Sequence, residues 1–263
     1  MNRAARLTAI VEILGAQGEV TVEELVERFG ASAATTRRDL DSLAARRLLT
    51  RTHGGAVAQS VAYELPIRYK SHLRTHEKEL IAARASALVE PGQVVGLSGG
   101  TTTTAIAAAL AARDDLTDAG LTIVTNAVNI AAQLAMRPEF KVVVTGGAIH
   151  ARSYELVGPF VEQLLRGVQL DVAFIGVNGL TAEAGASTHD EAEGAVNRMM
   201  AERAARAFIV TDSSKIGTSA FSSVGGAELF PSVVTDDRLP AASLRALRDA
   251  GYEVLLASDG AGA

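Results

Sequence analysis

Between residues 94 and 257, short apolar runs alternate with longer helical stretches, and this alternation restricts the possible folds more than any other feature. The runs at 94–97, 122–125, 141–145, 172–176, 207–210, 233–235 and 254–257 have the length and the Val/Ile content of buried strands. Segments such as 105–112 and 195–206 have the spacing of helices between them. Strands that alternate with helices predict an α/β domain built on a largely parallel, Rossmann-like sheet. Such sheets bind ligands beyond the carboxyl ends of their strands.

The chain has 263 residues, more than most single domains need, so a second domain is expected ahead of the sheet. Hydrophobic residues make up 48% and charged residues 21%, a globular balance that excludes a disordered chain. Cysteine is absent, which removes disulfides, thiolate metal sites and a cysteine nucleophile and fits a cytoplasmic protein. No apolar run approaches the ~18 residues of a membrane span, and the charged, helical N-terminus is not a signal peptide.

A net charge of −5 argues against a nucleic-acid partner until it is resolved along the chain. Residues 1–57 carry eight Arg and seven acids, for +1, and the remainder carries −6. Within 32–55 there are five Arg against two Asp, and no Lys occurs before residue 57. Arginine is the side chain suited to bidentate contact with phosphate or guanine.

Leu7, Ile10, Val11 and Leu14 fall at helical spacing, with Gly15 expected to close that helix. Thr21 and Glu24 form a capping-box pattern for a second helix, which Gly30 ends. Ser32 is a suitable N-cap for a third helix that turns Leu40 and Leu43 inward. Three short helices with a two-residue second turn predict a helix-turn-helix. Ser32, Thr35, Thr36, Arg37 and Arg38 lie in the first turns of the third helix, where side chains reach base edges and phosphates. Residues 48–56 alternate and then turn on Gly54-Gly55, predicting a short β-wing that presents Arg51 and His53. The recognition unit is thus expected at 1–57 and a linker at 58–74. His72 and His76 have helical metal-ligand spacing, but no carboxylate completes an HExxH pattern, and neither metal nor cofactor is expected.

In the α/β segment, Ser98-Gly99-Gly100 leads through Thr101, Thr102, Thr103 and Thr104 into an Ala-rich helix. Glycines free backbone N–H groups for an anion, the helix start adds its positive end, and threonine hydroxyls add donors. The loop lacks the Gly-Lys-Ser/Thr of a P-loop and the GxGxxG of dinucleotide folds, so a small phosphorylated molecule suits it better than a nucleotide. Asn126, Gly146-Gly147, Asn178, Asp212 and Lys215 follow successive strands and describe the rim of the same site. Asp212 suits sugar hydroxyls and Lys215 a phosphate.

The stretch ATTRRDLDSLAARRLLTRTHGGA closely resembles the winged helix-turn-helix of DeoR-family bacterial regulators. Gly100-Thr101-Thr102, Val124-Thr125-Asn126 and Asp212 through Lys215 are similar to the GTT, VTN and DxSK motifs of that family's effector domain, which is itself similar to ribose-5-phosphate isomerase. The Glu77-Lys78 pair also matches. The resemblance implies double-stranded operator DNA as partner, a phosphorylated sugar or related metabolite sensed by 75–257, and a homo-oligomer, with 258–263 as a tail. A dimer reads half-sites about 34 Å apart or multiples of that. Four positions depart from the family pattern: Thr36 stands where Ile is usual, Arg47 where Gly or Asn is usual, Ser98 where an acid precedes GTT, and Asn197 where Lys is usual. The isomerases use paired carboxylates at the end of the fourth strand. Residues 174–179 hold none, although Asp190, Glu191 and Glu193 lie nearby in sequence, so a regulator rather than an enzyme is expected.

Overall fold

The computed structural model describes residues 2–46, 48–57, 67, 73–116, 118 and 120–259. The chain divides into two compact units, Met1–Leu73 and Arg74–Ala263.

In the first unit α1 (Arg3–Gln17) runs two residues past Gly15, and Gly18 rather than Gly15 caps it, its N–H donating to the Leu14 carbonyl. The strand β1 (Glu19–Thr21), which the sequence reading missed, leads directly into α2 (Val22–Phe29). The expected capping box is present, with Thr21 and Glu24 exchanging hydrogen bonds, and Gly30 takes the left-handed conformation that ends the helix. Ser32 caps α3 (Ala33–Ala45) through Thr35 N–H. The wing is β2 (Thr50–Arg51) and β3 (Gly55–Val57), with β3 in the centre of an antiparallel β1-β3-β2 sheet. Gly55 is needed there because a Cβ would collide with the Val20 carbonyl across the ladder. Leu7, Ile10, Leu14, Leu25, Leu40, Leu43 and Leu49 fill the core.

The second unit begins with α4 (Thr75–Ser86), then β4 (Val94–Leu97), α5 (Thr101–Ala111), β5 (Leu121–Thr125), α6 (Val128–Leu134) and β6 (Phe140–Val144). A hairpin of β7 (Ala148–His150) and β8 (Glu155–Val157) precedes α7 (Pro159–Arg166) and β9 (Leu170–Gly176). Next come β10 (Gly179–Thr181), β11 (Gly185–Thr188), α8 (Glu191–Glu202) and β12 (Ala204–Val210). The chain continues through β13 (Ser222–Gly225), β14 (Ser232–Asp236), α9 (Ala241–Asp249) and β15 (Glu253–Ala257).

The seven apolar runs become a wholly parallel sheet of order β15-β14-β12-β9-β4-β5-β6. Alternate side chains feed two cores. Val172, Phe174, Phe208 and Val210 pack with α4, α5 and α6, while Ala173, Ile175, Ala207 and Ile209 pack with α7, α8 and α9. Both faces are therefore covered, which is why the strands read as nearly continuous apolar runs. The segment expected to be helical to residue 206 leaves the helix at Glu202, since Ala204 already pairs with Leu170. From β4 the chain adds β5 and β6 on one side and β9, β12, β14 and β15 on the other. The topological switch point thus lies between the carboxyl ends of β4 and β9.

Candidate functional site

On α3, Arg37 and Arg38 are exposed, as is Ser32, and Thr35 is half-buried with its hydroxyl 3.0 Å from that of Ser32. Thr36 corrects the expectation of a base contact. It is 1% exposed, facing the same interior as Leu40, with its hydroxyl buried and unpartnered. It occupies the position the family gives to Ile, and the core holds it there. Asp39 is also buried and accepts from Arg6 and Arg3 of α1, so this acid of the RRDL motif fixes the helix rather than facing solvent. In the wing, Arg51 bonds to Asp41 of α3 at 2.9 Å and to the Gly55 carbonyl, which braces the hairpin against the helix. His53 is exposed in the turn between β2 and β3. Arg47, His72 and most of the expected linker lie outside the described residues.

In the second unit the parallel sheet brings the carboxyl ends of β4, β5, β6, β9 and β12 to one edge. At the switch point Ser98 Oγ accepts the N–H of Gly176 at 2.9 Å, and Ser98 N–H donates to the Phe174 carbonyl at 3.2 Å. Gly100 is the N-cap of α5 at φ 125°, ψ 165°, and no side chain caps that helix. Its first-turn N–H groups therefore meet no capping oxygen, as an anion site requires. Thr103 and Thr104 spend their hydroxyls on the Gly100 carbonyl, whereas the buried Thr102 hydroxyl has no partner. Thr101 is half-buried at the helix start.

Gly99 differs from the expectation. Its backbone bonds to the carboxyl of Glu155 from β8, and a Cβ at this glycine would overlap that side chain. Glu155 also accepts from Asn126 Nδ2 at 3.1 Å. Burial raises the Glu155 carboxyl most, and Glu193 of α8 and Asp190 stand close enough to add repulsion. The Glu155 carboxyl is consequently pushed up to about 8 and is neutral at pH 7. On its other side Glu193 Oε1 accepts from Ser153 at 2.5 Å and contacts His150 Nδ1 at 2.6 Å. A pair of carboxyls thus forms at this edge, but from β8 and α8 rather than from the end of β9 where the isomerase pattern is sought.

At the β12 end Asp212 is buried, caps the turn Ser213–Lys215 through Ser214, and lies 3.6 Å from Arg74 Nε. Lys215 is half-buried and its Nζ donates to the Val177 carbonyl at 3.0 Å. Lys78 of α4, buried and facing the same group, is lowered to about 8 by burial first and then by repulsion from Lys215, with Arg74 adding to it and Asp212 opposing it. Burial lowers Lys215 as well. Three cations therefore gather around Asp212, with Glu77 a further carboxylate acting on Lys78, an arrangement rich in positive charge that favours a bound anion. Asn178 is turned to another task, accepting from Thr188 Oγ1 at 2.8 Å and His189 N–H at 3.3 Å. Gly146 and Gly147 are exposed, both at positive φ, beyond the end of β6.

Sequence spacing missed Glu155, His150 and Ser153, which a hairpin outside the seven-strand pattern delivers. It also gave no role to Arg74 or Lys78, whose contact with Lys215 spans some 140 positions of chain. Among the described residues no group of three or more His, Asp or Glu side chains is disposed to hold a metal, and no helix is long and apolar enough to cross a membrane.

A winged helix-turn-helix followed by a Rossmann-like α/β unit is the plan of a DNA-binding transcription regulator. Residues 6–61 match the DeoR-like helix-turn-helix domain and residues 73–237 the DeoR C-terminal sensor domain, and the chain belongs to the DeoR family. It is 31% identical to the glycerol-3-phosphate regulon repressor of Escherichia coli, over 95% of this chain and 97% of that one. It is 35% identical to the HTH-type transcriptional regulator GlpR of Haloferax volcanii, over 97% and 98%. Among solved structures, ribose 5-phosphate isomerase A of Neisseria gonorrhoeae is similar to 54% of this chain, over 53% of its own, at 16% identity and a TM-score of 0.39.

Proposed function

We propose that this protein is a cytoplasmic repressor of a sugar or polyol catabolic operon, released from or retained on its operator by a phosphorylated sugar bound at the switch-point edge of the second unit. The observation that carries the sensor half of this reading is the gathering of Lys78, Lys215 and Arg74 around Asp212. They stand at the same sheet edge as the uncapped N-terminus of α5. Together these groups suit a phosphate, with Thr101 and Thr102 beside it. The name of the glycerol-3-phosphate regulon repressor supports the same ligand class.

On the DNA side, Arg37 and Arg38 enter the major groove with Ser32 and Thr35 at the helix start, and His53 and Arg51 of the wing meet the backbone. One winged helix makes few contacts, so a homo-oligomer reads paired half-sites. The ligand acts by binding one conformational state more tightly than the other, since equal affinity for both shifts nothing.

The test is fluorescence anisotropy of the full chain on a duplex selected from a random library, titrated with salt and then with sugar phosphates. Affinity that falls steeply with salt and responds to a phosphorylated sugar is expected. Lys215→Ala and Thr101→Ala should keep the DNA binding and lose the response. Salt-independent or absent duplex binding would defeat the regulator reading, and a normal response in both variants would remove these residues from the site.

A further inference from the structure

Acceptors gather beyond the ends of β5 and β9, beside the uncapped donors at the start of α5. Asn126 donates both to Glu155 Oε2, at 3.1 Å, and to the Leu156 carbonyl, at 3.3 Å, and this fixes its amide orientation. Its Oδ1 is left buried and without a partner, the residue being 0% exposed. Asn197 does the same from α8. Its Nδ2 donates to the Gly176 carbonyl at 3.4 Å, and its Oδ1 is buried and unpartnered in a residue 3% exposed. The Glu155 carboxyl meets the Asn126 amide, and Glu193, whose charge acts on Glu155, lies one helical turn before Asn197. The donors at hand are already committed, with Ser153 and His150 on Glu193 and the Gly99 backbone on Glu155.

Two of these four acceptor groups are orphaned buried oxygens, which are costly unless a ligand satisfies them. An ammonium group matches this wall, because it brings three donors, no acceptor and a positive charge between two carboxyls. A hydroxyl brings one donor and turns its lone pairs toward acceptors. A metal ion is disfavoured, since the described residues offer no group of three or more ligating His, Asp or Glu side chains.

We infer that the effector is a phosphorylated sugar bearing a primary amino group, and that Glu155, Glu193, Asn126 and Asn197 take its ammonium. The inference rests on the phosphorylated-sugar reading above and adds the second functional group. The groups that set the protonation of Glu155 are Glu193 and Asp190 of α8, with His150 of β7 on the far side of Glu193. An ammonium beside Glu155 drives its proton off, so binding at pH 7 releases a proton.

The experiment is calorimetric titration of the full-length protein at pH 7 with matched pairs: glucosamine 6-phosphate against glucose 6-phosphate, galactosamine 6-phosphate against galactose 6-phosphate, and both N-acetylated forms. The amino member of a pair should bind about tenfold or more tightly than its hydroxyl twin, as a charge-assisted contact implies. Glu155→Gln and Glu193→Gln should erase that preference, whereas Lys215→Met should weaken both twins alike. In the unmodified protein, titrations in buffers of different ionisation enthalpy should reveal release of about one proton per amino ligand, a readout that does not depend on any variant folding. Equal or tighter binding of the hydroxyl or N-acetyl twin would overturn the ammonium site and leave the phosphorylated-sugar reading standing. Binding by none of the six would overturn the amino-sugar assignment, and the anisotropy titration above then decides the phosphorylated-sugar reading.

Discussion

Arg6 Nε lies 2.6 Å from Asp39 Oδ2, joining α1 to α3 through a carboxylate that is 2% exposed. Arg3 adds a second, more exposed contact at 3.4 Å. Asp39 is flanked in sequence by Arg38, which faces solvent, so one turn of α3 has both an anchored and an exposed side. Removing one partner of a buried ion pair strands the other. Asp39→Ala should lower the unfolding free energy of the N-terminal unit by about 3 kcal/mol. Arg6→Ala should cost at least as much, because it strands the 2%-exposed Asp39 carboxylate with only the longer Arg3 contact, whereas in Asp39→Ala the arginine can turn toward water. Urea denaturation of both single variants and the double variant measures the coupling, and additive losses would show that the pair does not act as one.

Thr36 offers the opposite outcome. Its hydroxyl is buried without a partner among core side chains, so Thr36→Val removes an unsatisfied polar atom at nearly constant shape. A gain of about 1 kcal/mol in stability is expected, with unchanged operator affinity. Loss of DNA binding in this variant would return Thr36 to the interface.

Arg37 and Arg38 are exposed on the same helix. Each Ala substitution should weaken duplex binding while leaving sugar-phosphate affinity intact. If one of them contacts a phosphate, the slope of log affinity against log salt should fall by about 1 in its variant. If it reads a guanine instead, the variant should lose discrimination at one base pair, worth about 1–3 kcal/mol. Unchanged DNA affinity in both would refute the assignment of α3 as the recognition helix.

The buried titrating groups make stability depend on pH in two opposed ways. Glu155 keeps its proton in the folded chain up to about pH 8, whereas its ordinary value is 4.5. Its contribution is full below 4.5 and is lost as pH rises through about 8. Lys78 is lowered from 10.5 to about 8, so its contribution is full above 10.5 and is lost as pH falls through 8. In urea midpoints at pH 5, 8 and 10, Glu155→Gln should flatten the lower limb and Lys78→Met the upper one. A Gln variant that loses stability from pH 5 to 8 as steeply as the parent would show that Glu155 is ionised in the fold.

The seven core strands were legible because each is buried on both faces. Their apolar runs had to be nearly continuous, and every one appears within two or three residues of its expected bounds. The capping box at Thr21 and the N-cap at Ser32 were legible because a cap is a local hydrogen bond that needs only the right residue at the right offset. Gly15 misled because a glycine inside a helix and one that ends it look alike in sequence. Only the backbone placed the cap three residues later, at Gly18.

The short strands β1, β7, β8, β10, β11 and β13 carry too few residues for a period to register, and their existence depends on partners elsewhere in the chain. With them came the chemistry that local reading missed. Glu155 reaches Gly99 only because the β7–β8 hairpin folds back over the β5 end, and Lys78 faces Lys215 only because α4 packs beside the strands that carry Asp212. The sequence by itself determined the two units, the three N-terminal helices and the strand-end motifs, since these rest on periodicity and short-range hydrogen bonds. Tertiary structure alone decided which polar groups meet, which lose water and which are left without a partner. Those depend on contacts between residues tens to more than a hundred positions apart, and burial there shifts a carboxyl or an amine by an amount that no spacing in the sequence records.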